Sequence, residues 1–351
     1  MNFIEKLKLI FSHSGICKIK TLQNYYSHWR DLKTKPLNKK AELISAQIEP
    51  TSRCNLKCKM CQHSFDQMQK EDMTLSQFMH ILDQMPFLVN LTLQGLGEPL
   101  LNKEIFGMIK EAKKRNIRVG LSTNATLITK EIAQKIIDSG LDWMYISLDS
   151  LNKEIYEDIR RGANFDLVIN NIKNFFELKG NKKPDTNFWT LIMKENLAGI
   201  PNVIEFAEEL GMNKIILQNN IHNWGYDDFK ENVEQIKNSS DEDLLKLIDD
   251  IKKINSNVNV EICTNSIISD NKKCDWPWRS AYITCDGYIT PCCMQGSDPK
   301  LINFGNIFKD SIEEILNSKS YQEFRNGLKN GPIPAVCINC PVYHQQKVIK
   351  I

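Results

Sequence analysis

Cysteine is the residue type in this 351-residue chain with the most chemistry to offer, and its eleven copies are unevenly placed. Cys54, Cys58 and Cys61 form one group; Cys263, Cys274, Cys285, Cys292, Cys293, Cys337 and Cys340 form another, with none between them. Clustered thiols in a chain without an export signal point to metal rather than to disulfides. The first group reads Glu49-Pro-Thr-Ser-Arg-Cys54-Asn-Leu-Lys-Cys58-Lys-Met-Cys61. Thiolates so spaced on one loop can wrap a single compact cluster. Three is the informative number, because a four-iron, four-sulfur cubane with three cysteines keeps one iron open to a small molecule. A structural zinc site would want a fourth ligand, which His63 could supply. Cys17 and Cys263 stand apart and read as ordinary buried thiols.

Such a loop needs a rigid frame, and the pattern from about residue 46 supplies one: strands alternating with helices. Ile44 to Ile48 is a short apolar strand leading into the first thiol group. Thr74-Leu-Ser-Gln77 is a capping box that opens a helix to about Met85. Strands are expected at Val89 to Leu93, Ile117 to Ser122, Trp143 to Leu148, Asn187 to Met193 and Lys214 to Gln218. Helices are expected at Asn102 to Arg115, Thr129 to Ser139, Phe165 to Leu178 and Pro201 to Leu210. Successive parallel strands need helical crossovers, so six β-α units imply a parallel sheet whose chemistry sits at the carboxyl ends of its strands. The polar clusters at Cys54, Gly95, Ser122, Ser147 and Asn219 each follow a strand, consistent with one site.

Four segments are expected on this basis. Residues 1–43 form a basic helical extension, 44–225 a partial (β/α)6 TIM barrel, 226–272 a helical bridge and 273–351 a small cysteine-rich α+β domain. The bridge contains a helix from Asp241 to Asn255, and the last segment a hairpin turning at Asp286-Gly287 and a helix from Ser311 to Asn326.

Composition bounds the rest. Lys and Arg number 45 against 43 Asp and Glu, a net of +2 that is too even for a protein held to nucleic acid by phosphate neutralisation. No run approaches the roughly 18 apolar residues that span a bilayer, and the N-terminus lacks a cleavage signal, so a cytoplasmic protein is expected. Residues 1–45 carry nine basic residues against three acidic ones. Phe3, Ile4, Leu7, Ile10 and Phe11 at helical spacing, with Tyr25, Tyr26 and Trp29, fit a helix packed on the main domain. The same basic amphipathic character allows weak contact with a membrane surface or a partner.

The C-x3-C-x2-C loop after a first strand, opening six β-α units, resembles the radical S-adenosylmethionine (radical SAM) enzymes and their partial barrel. The resemblance implies a SAM-binding [4Fe-4S] cluster on Cys54, Cys58 and Cys61, reductive cleavage to a 5′-deoxyadenosyl radical, and hydrogen abstraction from a substrate. Met60 stands where the family often has an aromatic residue. Gly97-Glu98-Pro99 resembles the end of the family's Gly-Gly-Glu-Pro segment, which receives the SAM ammonium; Leu96 replaces a glycine. Ser122 with Asn124, and Ser147 with Asp149, look like the carboxylate and ribose contacts. Arg160 resembles the arginine that pairs with the SAM carboxylate, with Arg161 its rival. A flavodoxin- or ferredoxin-type electron donor follows from the same resemblance.

Cys274, Gly287-x4-Cys292 and Cys337-Ile-Asn-Cys340-Pro resemble the SPASM/twitch extension of these enzymes. They imply one auxiliary [4Fe-4S] cluster on four cysteines, and Cys293 could replace Cys292. Zinc suits paired C-x2-C thiols equally well. No cysteine follows Cys340, which favours the shorter twitch arrangement of single-cluster dehydrogenases. The expected activity is oxidation of a small molecule or sugar-like alcohol, the auxiliary cluster accepting the electron. Cys285 or Cys293 could instead return a hydrogen atom or proton, giving epimerisation; peptide modification is the other enzymatic reading. An iron–sulfur carrier or a zinc-binding interaction protein are the non-enzyme alternatives. His222, Asn223, Trp224 and Tyr226 follow the sixth strand without an assigned role.

Overall fold

A computed structural model describes residues 18–64, 71–219, 240–254, 256–264, 274–294, 297–338, 340, 343 and 347–351. Cys17, the apolar positions Phe3 to Phe11 and the loop residues His222, Asn223, Trp224 and Tyr226 lie outside the described residues.

The expected strands form as β1 (Ser45–Ile48), β2 (Asn90–Leu93), β3 (Arg118–Thr123), β4 (Trp143–Ser147), β5 (Asp185–Leu191) and β6 (Lys214–Gln218). Each pairs in parallel with the next, from Ser45 opposite Asn90 to Leu191 opposite Gln218. Crossover helices follow: α2 (Leu75–Asp83), α3 (Ile105–Lys114), α4 (Lys130–Asp138), α5 (Lys153–Ile159), α6 (Phe165–Lys179) and α7 (Ile200–Glu209). Side-chain caps at Thr74, Thr129, Asn152 and Asn164 start four of them, Thr74 and Gln77 making the full capping box. The core lies between sheet and helices. On β4, for example, Met144 and Ile146 are buried toward the helices, whereas Trp143, Tyr145 and Ser147 point to the other face.

Several boundaries differ from the sequence reading. A 3₁₀ turn at Pro99–Leu101 precedes α3, and Asn102 is held outside the helix by its amide bonds to the carbonyls of Pro50 and Met73. The segment read as a helical bridge holds α8 (Asp241–Lys253) and also a seventh strand, β7 (Asn259–Thr264), parallel to β6. The C-terminal region joins both edges of the same sheet. β8 (Ala281–Ile283) runs parallel to β1 and leads through the turn at Gly287 (φ +88°) into β9 (Ile289–Thr290). β10 (Lys347–Lys350) is antiparallel to β7. The helix expected over Ser311 to Asn326 is two, α10 (Ile312–Leu316) and α11 (Lys319–Asn330), because Ser318 caps a new start and the Asn317 side chain is bound to Lys39 backbone.

The N-terminal helix α1 (Lys18–Thr34) is inverted: Thr21, His28 and Asp31 are buried, while Ile19, Leu22, Tyr26 and Trp29 are exposed. Its continuation is clamped to the C-terminal region. Arg325, fully buried, donates to the carbonyls of Leu37, Leu316 and Pro277, and the Trp278 indole donates to Pro36 O at 2.7 Å.

Burial, aided by the Lys39 ammonium, lowers the His28 pKa to about 4. Between pH 6.5 and 4 the unfolded histidine takes a proton that the folded site refuses, so stability falls as pH drops through that window. The loss reaches at most about 3 kcal/mol. His28→Gln should flatten the acid limb of a plot of urea midpoint against pH; parallel limbs in variant and parent would remove this explanation.

Candidate active site

The first thiol loop leaves the carboxyl end of β1 and is anchored on both sides. Ser52 N–H donates to Glu71 O at 3.0 Å, and Glu98 N–H to Arg53 O at 2.8 Å. Lys57 and Lys59 N–H groups donate to the Arg161 and Ile159 carbonyls at the end of α5. The backbone of Gly97 presses on the loop so closely that a β-carbon there would lie 2.1 Å from Thr51 O, which explains the glycine. Cys54, Cys58 and Cys61 lie within one another's electrostatic reach, and Arg160 is near all three. Burial pushes Cys54 up to about 11 and Cys61 to about 12, so as free thiols they stay protonated, and metal binding would expel those protons. His63 is bound through Nε2 to Ser52 O, 3.0 Å away. Among the described residues no three His, Cys, Asp or Glu side chains converge tightly enough for a single metal ion. Three thiols on one loop are a donor set that fits an iron–sulfur cluster.

The polar residues at the strand ends divide into two sets. Ser122, Ser147 and Arg160 line a cavity of about 550 Å³. Gly97, Glu98, Pro99, Asn124 and Asp149 do not line it but brace its wall. The Glu98 carboxylate is buried and accepts from Asn124 N–H and Thr123 Oγ1, both at 2.8 Å, and from Leu100 N–H at 3.2 Å. Burial holds it at about 6, these three donors opposing the rise. Its oxygens are therefore engaged by the protein, and the cavity is met here by Gln94, Gly95 and Leu96 instead. Asn124 in turn donates to Asn55 Oδ1 at 3.0 Å, beside Cys54.

Asp149, fully buried at the end of β4, accepts from Leu191 N–H at 2.9 Å and lies 2.7 Å from Arg160 Nε. Arg160 and Asp149 thus form a close buried ion pair. Burial is the strongest influence on the guanidinium and works against its charge, but Asp149, Cys58 and Tyr156 together outweigh it and raise the Arg160 pKa. Arg161 is paired loosely with Asp158, 3.9 Å away on the surface, and does not line the cavity.

The same cavity reaches the second thiol group: Cys274, Cys292, Cys293, Cys337 and Cys340 all line it. Cys274, Cys337 and Cys340 are mutual electrostatic neighbours. Two elements hold them, the start of α9 (Trp276–Arg279) and the 3₁₀ turn Ala335–Cys337. The thiol of Cys293 is turned inward toward Gln47 and Cys340, and burial pushes it to about 12. Cys285 is separate. It is buried away from the cavity, its thiol beside Glu49 and Ser52, and burial followed by the Glu49 carboxylate pushes it well above the usual thiol range.

Sequence reading missed two features. Glu49, buried at the end of β1, accepts from Leu96 N–H at 2.9 Å and Cys285 N–H at 3.3 Å, and so joins the barrel rim to the C-terminal hairpin. The second is an aromatic wall: Trp143, Tyr145 and Trp189 line the cavity with ring centroids 5.2 and 5.4 Å apart, and Trp189 Nε1 donates to Gln218 Oε1. Gly120 makes room for it, since a β-carbon there would lie 2.0 Å from the Trp143 ring. The alternation Trp143-x-Tyr145-x-Ser147, polar and aromatic on one strand face, was the available signal.

Residues 48–207 match the model of the radical SAM superfamily, and residues 274–341 match that of SPASM, an iron–sulfur cluster-binding domain. Over 312 residues the chain is 28% identical to the tungsten-containing aldehyde ferredoxin oxidoreductase cofactor-modifying protein of Pyrococcus furiosus, covering 84% of this chain and 86% of that one. Its fold is similar to that of Streptococcus suis SuiB bound to precursor peptide SuiA, with TM-score 0.68, 20% identity and coverage of 88% and 72% of the two chains. It is also similar to BtrN in complex with AdoMet and 2-DOIA, with TM-score 0.51, 16% identity and coverage of 82% and 88%.

Proposed function

Since the chain belongs to the radical SAM superfamily and carries a SPASM domain, we propose that it dehydrogenates a hydroxyl-bearing small molecule or side chain held between two iron–sulfur clusters. When bound, SAM and its [4Fe-4S] cluster supply a hydrogen-abstracting radical, and the auxiliary cluster supplies an electron acceptor. The observation that carries this reading is one cavity lined both by Met60, Ser122 and Arg160, beside the first thiol loop, and by Cys274, Cys292, Cys337 and Cys340. A substrate placed there adjoins both groups.

The chain's own residues take the following roles. Cys54, Cys58 and Cys61 hold the first cluster; Cys274, Cys292, Cys337 and Cys340 hold the second. Arg160, fixed by Asp149, binds the SAM carboxylate, and Ser122 and Ser147 bind its polar groups. Glu98, with Asn124, braces the strand end so that the carbonyls of the Gly95-Leu96 segment receive the ammonium. A flavodoxin- or ferredoxin-type carrier delivers the first electron. Among the described residues no Asp or Glu lines the cavity, while Arg279 does, which favours a neutral or anionic substrate over a cationic one. The wall of Trp143, Tyr145 and Trp189 also suits a peptide side chain, so peptide modification is the second reading.

The test uses reconstituted enzyme, SAM, dithionite and a panel of neutral and anionic alcohols and serine-containing peptides. The expected product is lighter by two hydrogens, forms with one 5′-deoxyadenosine and is trapped by hydroxylamine as a carbonyl. Cys274→Ala should still make deoxyadenosine but no carbonyl. A product of unchanged mass bearing solvent deuterium would mean epimerisation, and a mass loss without a trappable carbonyl would mean crosslinking.

A further inference from the structure

Two buried hydrogen-bond donors near the second thiol group have no partner: the indole Nε1–H of Trp276 and the phenol O–H of Tyr321. Leaving a buried donor unsatisfied costs about 1–3 kcal/mol, so native structures rarely tolerate it without cause. The two come from different elements, α9 and α11, yet each lies near Cys274. Trp276 directs its backbone N–H to the Cys274 thiol and lines the cavity beside Cys274, Cys292, Cys337 and Cys340. Tyr321, which does not line the cavity, lies within electrostatic reach of Cys292 and Cys274.

Neither ring is free to turn elsewhere. Tyr321 is fully buried, stacked on Phe304 at 3.9 Å and 6°, with the Arg325 guanidinium 4.3 Å from its ring centroid. Arg325 is itself fixed by the carbonyls of Pro277, Leu37 and Leu316. Trp276 is covered by Arg279 at 5.6 Å and followed at once by Pro277. A cluster on the four thiolates would bring anionic sulfur to these donors. Hydrogen bonds to cluster sulfur favour the reduced, more negative state and so raise the reduction potential.

We infer that Trp276 Nε1–H and Tyr321 O–H donate to sulfur atoms of the auxiliary cluster and set its reduction potential higher than the four thiolates alone would. The inference rests on the proposal that Cys274, Cys292, Cys337 and Cys340 hold that cluster. Both donors then serve the electron-accepting role: they make the cluster easier to reduce.

Trp276→Phe and Tyr321→Phe each remove a donor and keep an aromatic ring. The full-length variants are reconstituted anaerobically, counted for iron and sulfide, and titrated potentiometrically with detection by electron paramagnetic resonance. The expected result is an unchanged iron count with the auxiliary midpoint shifted to more negative potential in each variant, and further in the double variant. Pulsed resonance in deuterated water should show a strongly coupled exchangeable deuteron on the wild-type auxiliary cluster, weakened in each variant. An intact second cluster with unmoved potential and unchanged deuteron coupling would overturn the inference and leave the ligand assignment standing. If Tyr321→Phe fails to hold the cluster, Trp276→Phe and the wild-type deuteron coupling decide it. Wild-type protein that binds no second cluster would overturn both.

Discussion

Replacing Cys54, Cys58 and Cys61 together with alanine abolishes formation of 5′-deoxyadenosine from SAM and lowers iron and sulfide from about eight to about four per chain. The loss is complete rather than graded because no other group can stand in. His63 is engaged with Ser52, and the remaining cysteines near the cavity belong to the far group. The fold should survive. The loop is held by backbone bonds from Ser52, Lys57, Lys59 and Glu98, none of which uses a thiol, so far-ultraviolet dichroism should match the parent. Retention of all the iron, or of any deoxyadenosine above the uncatalysed background, would refute the assignment.

Arg160→Gln carries the second largest effect and acts on two quantities at once. On the proposal that Arg160 pairs with the SAM carboxylate, removing this charge-assisted partner should weaken SAM binding about 10- to 100-fold. The same change strands the Asp149 carboxylate, which is fully buried and paired with Arg160 at 2.7 Å, and so destabilises the fold by about 3–5 kcal/mol. The two effects separate in the double variant Asp149→Asn, Arg160→Gln. Thermal stability should largely return, because no buried charge is left alone, while SAM affinity measured by equilibrium dialysis stays low. Recovery of both together would make Arg160 a structural residue only.

The contrast between Cys54 and Glu98 shows how far the sequence can be read. Both lie in short motifs after strands. The thiol loop was legible because its chemistry is local: three cysteines within eight positions can meet on one cluster however the rest of the chain folds. The direction of the Glu98 carboxylate was not, because it is decided by Asn124 and Thr123, which arrive from the next strand. Cys285 is a similar case. Its spacing left it available as a hydrogen donor, yet Glu49, 236 residues away in the chain, encloses it behind the cavity wall.

What the amino-acid order determined by itself is the class of frame and the three-thiol loop that follows its first strand. Short apolar strands alternating with helices, and the need for crossovers between parallel strands, admit little except a parallel β/α array with its site at the strand ends. The tertiary structure alone decided which strand-end groups face the cavity and which are spent bracing it. It also decided that β7, β8 and β10 extend the sheet at both edges, and that the second thiol group lines one cavity with Met60 of the first thiol loop and with Arg160. Those outcomes depend on contacts between distant segments, such as β8 beside β1 and Arg325 on Leu37, where no short-range signal exists. A side chain's propensity is local, but whether its polar atoms are already satisfied is a property of everything packed around them.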